Sequence, residues 1–149
     1  MPSRQQRKGF DKERDLVLRL WSHGFAAMRA PASGARTKRV FYPDVLAAYQ
    51  GRIYVFEVKY RSEPGPIYID SSKIEKLKEF ARRAGGEALI AVKYGRGEWR
   101  LIPVDECPST GSSIRVDPEL AEKKGIRLSE FVSRVKGQRS ILDYTRHTH

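Results

Sequence analysis

The sequence predicts a single domain of the α/β or α+β class, built around one sheet. Its length of 149 residues suits one domain with a modest core. Apolar residues recur with helical periodicity over residues 9–23 and 72–84, and short runs rich in β-branched and aromatic residues lie between and after these segments. The run 88–92 is apolar almost throughout, which is typical of a strand buried on both faces.

Local signals place the individual elements. Gly24 and Gly85 each follow a helical pattern and are expected to end it, since glycine is favoured just past a helix C-terminus. Ser72 and Glu75 form a capping box that begins the second helix. In chain order we predict a helix (9–23), a strand (25–30), a basic loop (31–39), a β-hairpin (45–60), a strand (67–69), a helix (72–84), two strands (88–92 and 99–102), an irregular segment (105–124) and a short helix (128–135).

The hairpin can be put in register by counting. Gln50-Gly51 is predicted to be a two-residue turn, with glycine supplying a positive φ. If Tyr49 pairs with Arg52, counting outward places Asp44 opposite Glu57. Directly opposed side chains share a face of the sheet, with Cβ atoms roughly 4.5–5.5 Å apart.

Asp44 and Glu57, joined by Lys59 on the same face, would form a minimal site for metal-dependent phosphodiester hydrolysis. Two carboxylates this close repel each other unless a cation lies between them. Hard oxygen ligands favour Mg²⁺ or Mn²⁺. A bound ion would lower the pKa of its water, and Lys59 could orient that water or stabilise charge on a phosphate. The alternative is an ordinary exposed hairpin in which Glu57 and Lys59 are solvated.

Two further residues have a functional and a structural interpretation. Glu13 lies on the stripe that the first helix should bury, where a carboxylate needs a partner. It either pairs with Arg14 or a core arginine, or reaches the metal site as a third acidic group. Ser33 could donate a hydrogen bond to a phosphate from its loop, or could be a simple turn residue.

The composition points to a polyanionic partner. The formal net charge is +11 and 32% of residues are charged, so nucleic acid is expected. The single Cys107 excludes an internal disulfide and fits a reducing interior, and no apolar stretch is long enough to span a bilayer, so a cytoplasmic location is expected. Candidate phosphate contacts, each of which could instead be a solvated charge, are Arg4, Arg7, Lys8, Arg14, Arg36, Lys38 and Arg39.

Taken together, these motifs resemble the archaeal Holliday junction resolvases of the PD-(D/E)xK restriction-endonuclease-like superfamily. The resemblance runs from about residue 9 to about residue 104 and rests on Glu13-Arg14, Ser33-Gly34, Pro43-Asp44 and Glu57-Val58-Lys59 in this order and spacing. It implies an α/β restriction-endonuclease-like core, with a central mixed β-sheet flanked by helices. It also implies a homodimer that uses Mg²⁺ to nick two opposed strands of a four-way DNA junction during recombination and repair.

The resemblance also implies roles for single residues. Asp44, Glu57 and the Val58 backbone carbonyl would be metal ligands, Lys59 would be the catalytic lysine, and Glu13 would support the metal or its water. Arg14 and Ser33 would handle the scissile strand. One departure is Lys76, which takes the position of a glutamine that is frequent in the family.

The domain organisation predicted from the sequence has three parts: a flexible basic arm (1–8), a nuclease domain (9–135) and a flexible tail (136–149). In the tail, Gln138, Ile141 and Tyr144 have the spacing of the peptide with which proteins dock on the replication sliding clamp. Such a short pattern also arises by chance.

Two other functions stay open from the sequence. The chain could be another nuclease of the same superfamily, acting on flaps, forks, mismatches or duplex DNA. It could also be a basic DNA-binding module without catalytic activity.

Overall fold

The computed structural model describes residues 3–31 and 40–137 of the chain. The helices are α1 (Arg4–Ser22), α2 (Ser71–Ala84), α3 (Pro118–Lys124) and α4 (Leu128–Gly137). The strands are β1 (Ala26–Arg29), β2 (Val45–Tyr49), β3 (Arg52–Arg61), β4 (Ile67–Asp70), β5 (Glu87–Tyr94), β6 (Arg100–Pro103), β7 (Ser113–Val116) and β8 (Ile126–Arg127). Within the described residues, no helix is long and apolar enough to cross a bilayer.

A six-stranded sheet forms the centre of the fold, in the order β1-β2-β3-β5-β6-β8. Strands β3 and β5 are parallel, and the other neighbours in this sheet are antiparallel. The predicted α/β class with a mixed sheet flanked by helices is therefore confirmed. Strands β4 and β7 form a separate antiparallel pair, so the expectation of one sheet was incomplete.

The sheet separates two apolar layers. Alternate residues of β3 point to opposite faces, so Tyr54, Phe56 and Val58 enter one cluster while Val55 enters the other. The first cluster takes its helical side chains from α1 and α4, and the second takes them from α2 and α3. Side chains 57 and 59 alternate onto the α2 side, which determines where the polar site forms.

The hairpin between β2 and β3 has the predicted register. Gln50 has a φ of 48° and Gly51 a φ of 82°, which is the type I′ turn that matches the twist of its strands. Tyr49 pairs with Arg52, and the ladder ends where Val45 pairs with Phe56. Asp44 therefore lies one position beyond the last pair.

The predicted starts of the first two helices differ from the structure, whereas α4 begins at Leu128 as predicted. Helix α1 begins at Arg4, so residues 4–8 of the predicted arm are helical, because good helix formers precede Gly9 and a single interior glycine lowers helix stability without breaking the helix. Helix α2 begins at Ser71, and its N-cap Asp70 makes no side-chain capping hydrogen bond. The Ser72 capping box was therefore wrong. The Ser71 amide instead donates to the Ser112 carbonyl at 2.9 Å, a tertiary contact.

The segment predicted as irregular contains β7 and α3. Strand β7 pairs with β4, and its Ile114 and Val116 are buried beneath α2 and α3. Helix α3 has a local start signal that the prediction overlooked. The Asp117 carboxylate accepts a hydrogen bond from the Leu120 amide at 2.8 Å, and Pro118 follows as the first helical residue.

Candidate active site

A polar cleft of about 500 Å³ opens where α1, the end of β3 and the start of α2 meet. It contains both acidic and basic side chains, which is unusual for a depression next to an apolar core. Its lining consists of Lys8, Gly9, Phe10, Glu13, Asp44, Glu57, Val58, Lys59, Tyr60, Arg61, Ser62 and Lys73.

Asp44 is fixed in this cleft by backbone hydrogen bonds. Its Oδ2 accepts a hydrogen bond from the Val58 amide at 2.9 Å, and its carbonyl oxygen accepts one from the Ala30 amide at 3.0 Å. Pro43 occupies the position opposite Val58 in the continued hairpin register, so the carboxylate serves as the acceptor for Val58 where β2 has ended. The structure thus brings Asp44 and Glu57 to one side of the sheet.

Glu57 is the fully buried charged residue of the described chain, with 1% of its surface exposed. Burial and the nearby Asp44 carboxylate raise its pKa to about 7, although Lys73 and Lys59 lower it. Lys73 Nζ lies 2.9 Å from Oε1 and Lys59 Nζ lies 3.6 Å from it. Both lysines thus form ion pairs with Oε1, with Lys73 at hydrogen-bonding distance, whereas the buried Oε2 has no hydrogen-bond partner among the described residues.

Glu13 reaches the cleft from α1. Its side chain is 16% exposed and lies 3.8 Å from the Nε of Arg29, which in turn packs over the Phe10 ring at 5.2 Å. Burial and the Asp44 carboxylate raise the pKa of Glu13 to about 7, although Arg29 lowers it. Both interpretations of Glu13 therefore describe part of its surroundings, since it pairs with a half-buried arginine and lines the same cleft as Asp44 and Glu57.

The donor set fits a hard divalent ion that keeps several water ligands. The two oxygens of Glu57 are buried, Oε2 without a hydrogen-bond partner in the described chain, and the Asp44 carboxylate lies beside them in the cleft. Carboxylate oxygens with water are the usual environment of Mg²⁺. Three acidic, histidine or cysteine side chains arranged to hold an ion do not occur among residues 3–31 and 40–137. The fit therefore rests on the Asp44 and Glu57 carboxylates, the Val58 backbone carbonyl and water. Glu13 lines the same cleft.

The other predicted site residues lie away from this centre or outside the described residues. Arg14 is largely exposed, pairs with Asp11 at 3.6 Å, and is absent from the cleft lining. Arg4 and Arg7 are exposed on the first turns of α1. The predictions that lie outside the described residues concern Ser33, Arg36, Lys38, Arg39, Gln138, Ile141 and Tyr144.

Two residues that pair with carboxylates of the site were missed by the sequence analysis, namely Arg29, which pairs with Glu13, and Lys73, which pairs with Glu57. Lys73 is on the first turn of α2 and approaches Glu57 only because that helix packs against β3. Lys76, which was singled out on the same helix, lines a different groove with Phe41 and Phe80. The only signal for Arg29 was its place at the end of a predicted strand, so neither residue could be assigned before the fold was known.

Comparisons with known proteins agree with this geometry. The sequence model described as archaeal Holliday junction resolvase (Hjc) matches residues 4–140. Crossover junction endodeoxyribonuclease Hjc of Sulfurisphaera tokodaii is 39% identical over 132 residues, which cover 88% of this chain and 90% of that protein. The same-named protein of Archaeoglobus fulgidus is 38% identical over 128 residues, covering 85% and 90%.

The solved structure of Archaeoglobus fulgidus Hjc, titled a Holliday junction resolvase from an archaeal hyperthermophile, is similar in fold. It superposes with a TM-score of 0.75 at 34% identity and covers 83% of this chain and 99% of that one. The residues matched by the family model, 4–140, include all those that line the cleft. On this evidence the chain belongs to the archaeal Holliday junction resolvase family, with a restriction-endonuclease-like core.

Proposed function

We propose that this chain is a divalent-metal-dependent endonuclease that resolves four-way DNA junctions by paired, symmetric nicks. The observation that carries the proposal is the buried Glu57 carboxylate, which lies in one cleft with Asp44 and three lysines. The curated relatives are named crossover junction endodeoxyribonucleases, and the net charge of +11 suits a DNA substrate.

The proposed cofactor is Mg²⁺, with Mn²⁺ able to replace it. Asp44, Glu57 and the Val58 backbone carbonyl would hold the ion, and Glu13 would support it through water. When bound, such an ion supplies a water of lowered pKa and neutralises charge on the phosphate. Glu57 Oε2 supports this assignment, because this buried oxygen has no hydrogen-bond partner among the described residues and such burial is unfavourable.

The chain's own residues provide positioning and charge around the reacting phosphate. The Lys59 side chain is one-third exposed in the cleft and its Nζ lies 3.6 Å from Glu57 Oε1, so Lys59 can interact with a phosphate oxygen or a water there. Arg29 orients Glu13 through their ion pair. Ser33 remains the proposed hydrogen-bond donor to the scissile strand, and Arg14 a proposed contact to it from the exposed face of α1.

DNA recognition is proposed to act mainly through phosphates. An enzyme that reads the shape of a junction needs backbone contacts more than contacts with base edges. Lys8 lines the cleft, and Arg4 and Arg7 precede it on the same helix. The other proposed contacts are Arg36, Lys38 and Arg39.

Two cuts at two-fold-related positions are most simply made by two copies of one site, so we propose a homodimer. A groove of about 610 Å³ suits its interface, because its floor includes Val40, Phe41, Phe80 and Ala84. Its rim carries both signs of charge, with Glu75 and Glu79 beside Lys76 and Arg83. A rim with both signs can complement its own copy across a two-fold axis.

The tail residues Gln138, Ile141 and Tyr144 are proposed to bind the replication sliding clamp. The spacing of the aliphatic and aromatic residues supports this, since both would lie on one side of a helical turn. In a binding assay with purified clamp, the double variant I141A/Y144A should lose binding while junction cleavage is retained. Equal clamp binding by the wild type and this variant would reject the proposal.

Substrate choice is tested by cleavage assays with Mg²⁺ on a four-way junction, a flap, a fork and a linear duplex of matched sequence. The expected result is paired nicks in opposed strands of the junction and little cutting of the others. Preference for the flap or fork would instead identify another nuclease of the superfamily. Junction binding without cutting in Mg²⁺ or Mn²⁺ would identify a non-catalytic binding module.

A further inference from the structure

A second basic pocket lies beside the catalytic cleft, and the two are connected along one side of α1. The second pocket measures about 300 Å³, and the basic residues in its lining are Arg19, His23, Lys93 and Arg96. We propose that these four residues, together with Lys8 and Lys12, form a basic track that binds the phosphates of one duplex arm as it leaves the cleft. This proposal rests on the proposed function and identifies a surface that would bind the DNA substrate.

Helical spacing aligns part of the track. Lys8, Lys12 and Arg19 are separated by four and seven residues, so their side chains emerge within about 40° of one another around α1. Lys8 lines the catalytic cleft and Arg19 lines the second pocket, so this single helix face joins the two depressions.

The strand side of the track is continuous with the cleft. Lys12 Nζ lies 4.3 Å from the centre of the Tyr60 ring, and Tyr60 lines the catalytic cleft. Tyr60 pairs with Lys93 of the neighbouring strand β5, and Lys93 lines the second pocket. The Gly95 amide donates a 2.7 Å hydrogen bond to the Arg61 carbonyl, which fixes the turn that carries Arg96 against the rim of the cleft.

The carboxylates near the track are already neutralised. Asp15 Oδ2 accepts hydrogen bonds from Trp99 Nε1 at 2.8 Å and Arg19 Nε at 2.9 Å, with Lys93 Nζ at 4.0 Å. Glu98 pairs with Arg127 at 3.3 Å. Arg96 is exposed and pairs with no carboxylate in the described part of the chain. The net charge along the track is therefore positive, and Arg19 and Arg96 are its exposed arginines in the second pocket, whereas the Lys93 side chain is 14% exposed.

The length of the track suits duplex DNA. Eleven residues separate Lys8 from Arg19, which corresponds to roughly 16 Å along the helix axis. One strand of a duplex carries a phosphate about every 3.4 Å along its axis, so the track spans roughly five phosphates. A row of cations spaced along a helix fits a phosphate backbone, which carries a negative charge at each step.

The test compares Arg96→Gln with Lys123→Gln, which removes the same charge from an exposed site on α3, across the sheet from the track. Binding of a four-way junction is measured by fluorescence anisotropy in a metal chelator over a series of salt concentrations. For Arg96→Gln we expect several-fold weaker binding at low salt and a slope of log K against log salt smaller by about one. Lys123→Gln should match the wild type.

The charge reversal Arg96→Glu should weaken binding further, and circular dichroism should show all variants folded. An unchanged salt slope in both Arg96 variants would overturn the track, as would an equal effect in Lys123→Gln. Cleavage of the junction by the wild type with Mg²⁺ is scored separately. If the wild type cuts the junction and the Arg96 variants bind it as the wild type does, only the basic track is rejected. If the wild type never cuts, the proposed nuclease function is rejected.

Discussion

At Glu57, the requirements of folding stability and of the proposed metal binding conflict. A carboxylate with 1% exposure loses nearly all contact with water, and the nearby Asp44 adds repulsion. Lys73 and Lys59 offset part of this cost, yet the pKa stays raised at about 7. The folded protein thus keeps an unfavourable charge at the position where a divalent ion would be most strongly attracted.

The raised pKa has a definite sign for stability. The folded state holds a proton on Glu57 up to about pH 7, whereas the ordinary pKa of a glutamate, which applies to the unfolded chain, is 4.5. The folded state therefore binds more protons between these values, so the free energy of unfolding falls as pH rises through this window. Glu13, with a pKa of about 7, contributes in the same direction.

Replacing Glu57 with Gln should stabilise the free protein at pH 8 by about 1–3 kcal/mol, because the amide removes the buried charge. It should also flatten, without abolishing, the fall in stability between pH 5 and pH 8, since Glu13 remains. Guanidinium unfolding in a chelator measures both effects.

A matched control is Glu79→Gln, because Glu79 is surface-exposed and its pKa is lowered to about 2 by hydrogen bonds from Arg82 and Arg83. That variant should gain no stability at pH 8. If Glu57→Gln were less stable than the wild type at pH 8, the assignment of Glu57 as a buried, unfavourable charge would be wrong.

The two carboxylates could be brought together from the sequence because only a two-residue turn and strand alternation separate them. Asp44 and Glu57 follow from a count outward from Gln50-Gly51. Arg29 and Lys73 could not be found in this way. Their positions depend on how β1 pairs with β2 and how α2 packs on β3, which are contacts between segments distant in sequence.

At the scale of elements, the connection from α2 to β5 passes very close to the backbone of β3. Gly85 ends α2 in the left-handed conformation with a φ of 70°. At Gly86, an added Cβ would collide with the Ile53 carbonyl oxygen and lie 2.8 Å from its carbon. Only glycine allows the chain to pass this close to the start of β3.

Gly86→Ala should therefore destabilise the fold by about 2 kcal/mol or more, since backbone atoms must move to relieve the collision. Gly9→Ala is the matched control, because Gly9 lies inside α1 with nothing within 4 Å of its added Cβ. That variant should stabilise the protein by up to about 1 kcal/mol through the gain in helix propensity.

Thermal or guanidinium unfolding of the two glycine variants distinguishes the effects, and the opposite signs are the essential result. A neutral Gly86→Ala would show that the connection is looser than described. A destabilising Gly9→Ala would argue against the helical conformation of α1 at its N-terminal end.

Helices and strands were predicted correctly where local sequence patterns were strong. The prediction failed where contacts between distant segments determine the structure. The hairpin, β5 and the end of α2 follow from turn residues and apolar runs. The start of α2 is set by the contact between Ser71 and Ser112, and β7 forms because β4 provides a partner. Propensity alone does not specify such pairings.

At the scale of the whole molecule, two paired nicks require two clefts, which a symmetric dimer would provide. If two copies meet through the groove around Phe80, an introduced charge there should disrupt the assembly, because a carboxylate in a buried apolar contact is strongly unfavourable. Phe80→Asp is expected to elute as a monomer by size-exclusion chromatography with light scattering. This variant should no longer make two paired nicks in opposed strands of the junction.

Leu18→Asp is a suitable control, because Leu18 is 62% exposed on α1 and lies outside the groove. It should remain dimeric. A dimeric Phe80→Asp variant would show that the two copies meet elsewhere. A wild-type chain that is monomeric at working concentrations would reject the dimer.

The most direct test of the account is junction cleavage by Asp44→Asn. The amide keeps an acceptor for the Val58 amide, so folding should be preserved while one proposed metal ligand loses its charge. We expect the rate of junction cleavage with Mg²⁺ to fall at least about a hundredfold, while junction binding in a chelator stays within a few-fold of the wild type. Cleavage at the wild-type rate by this variant would contradict the proposed site.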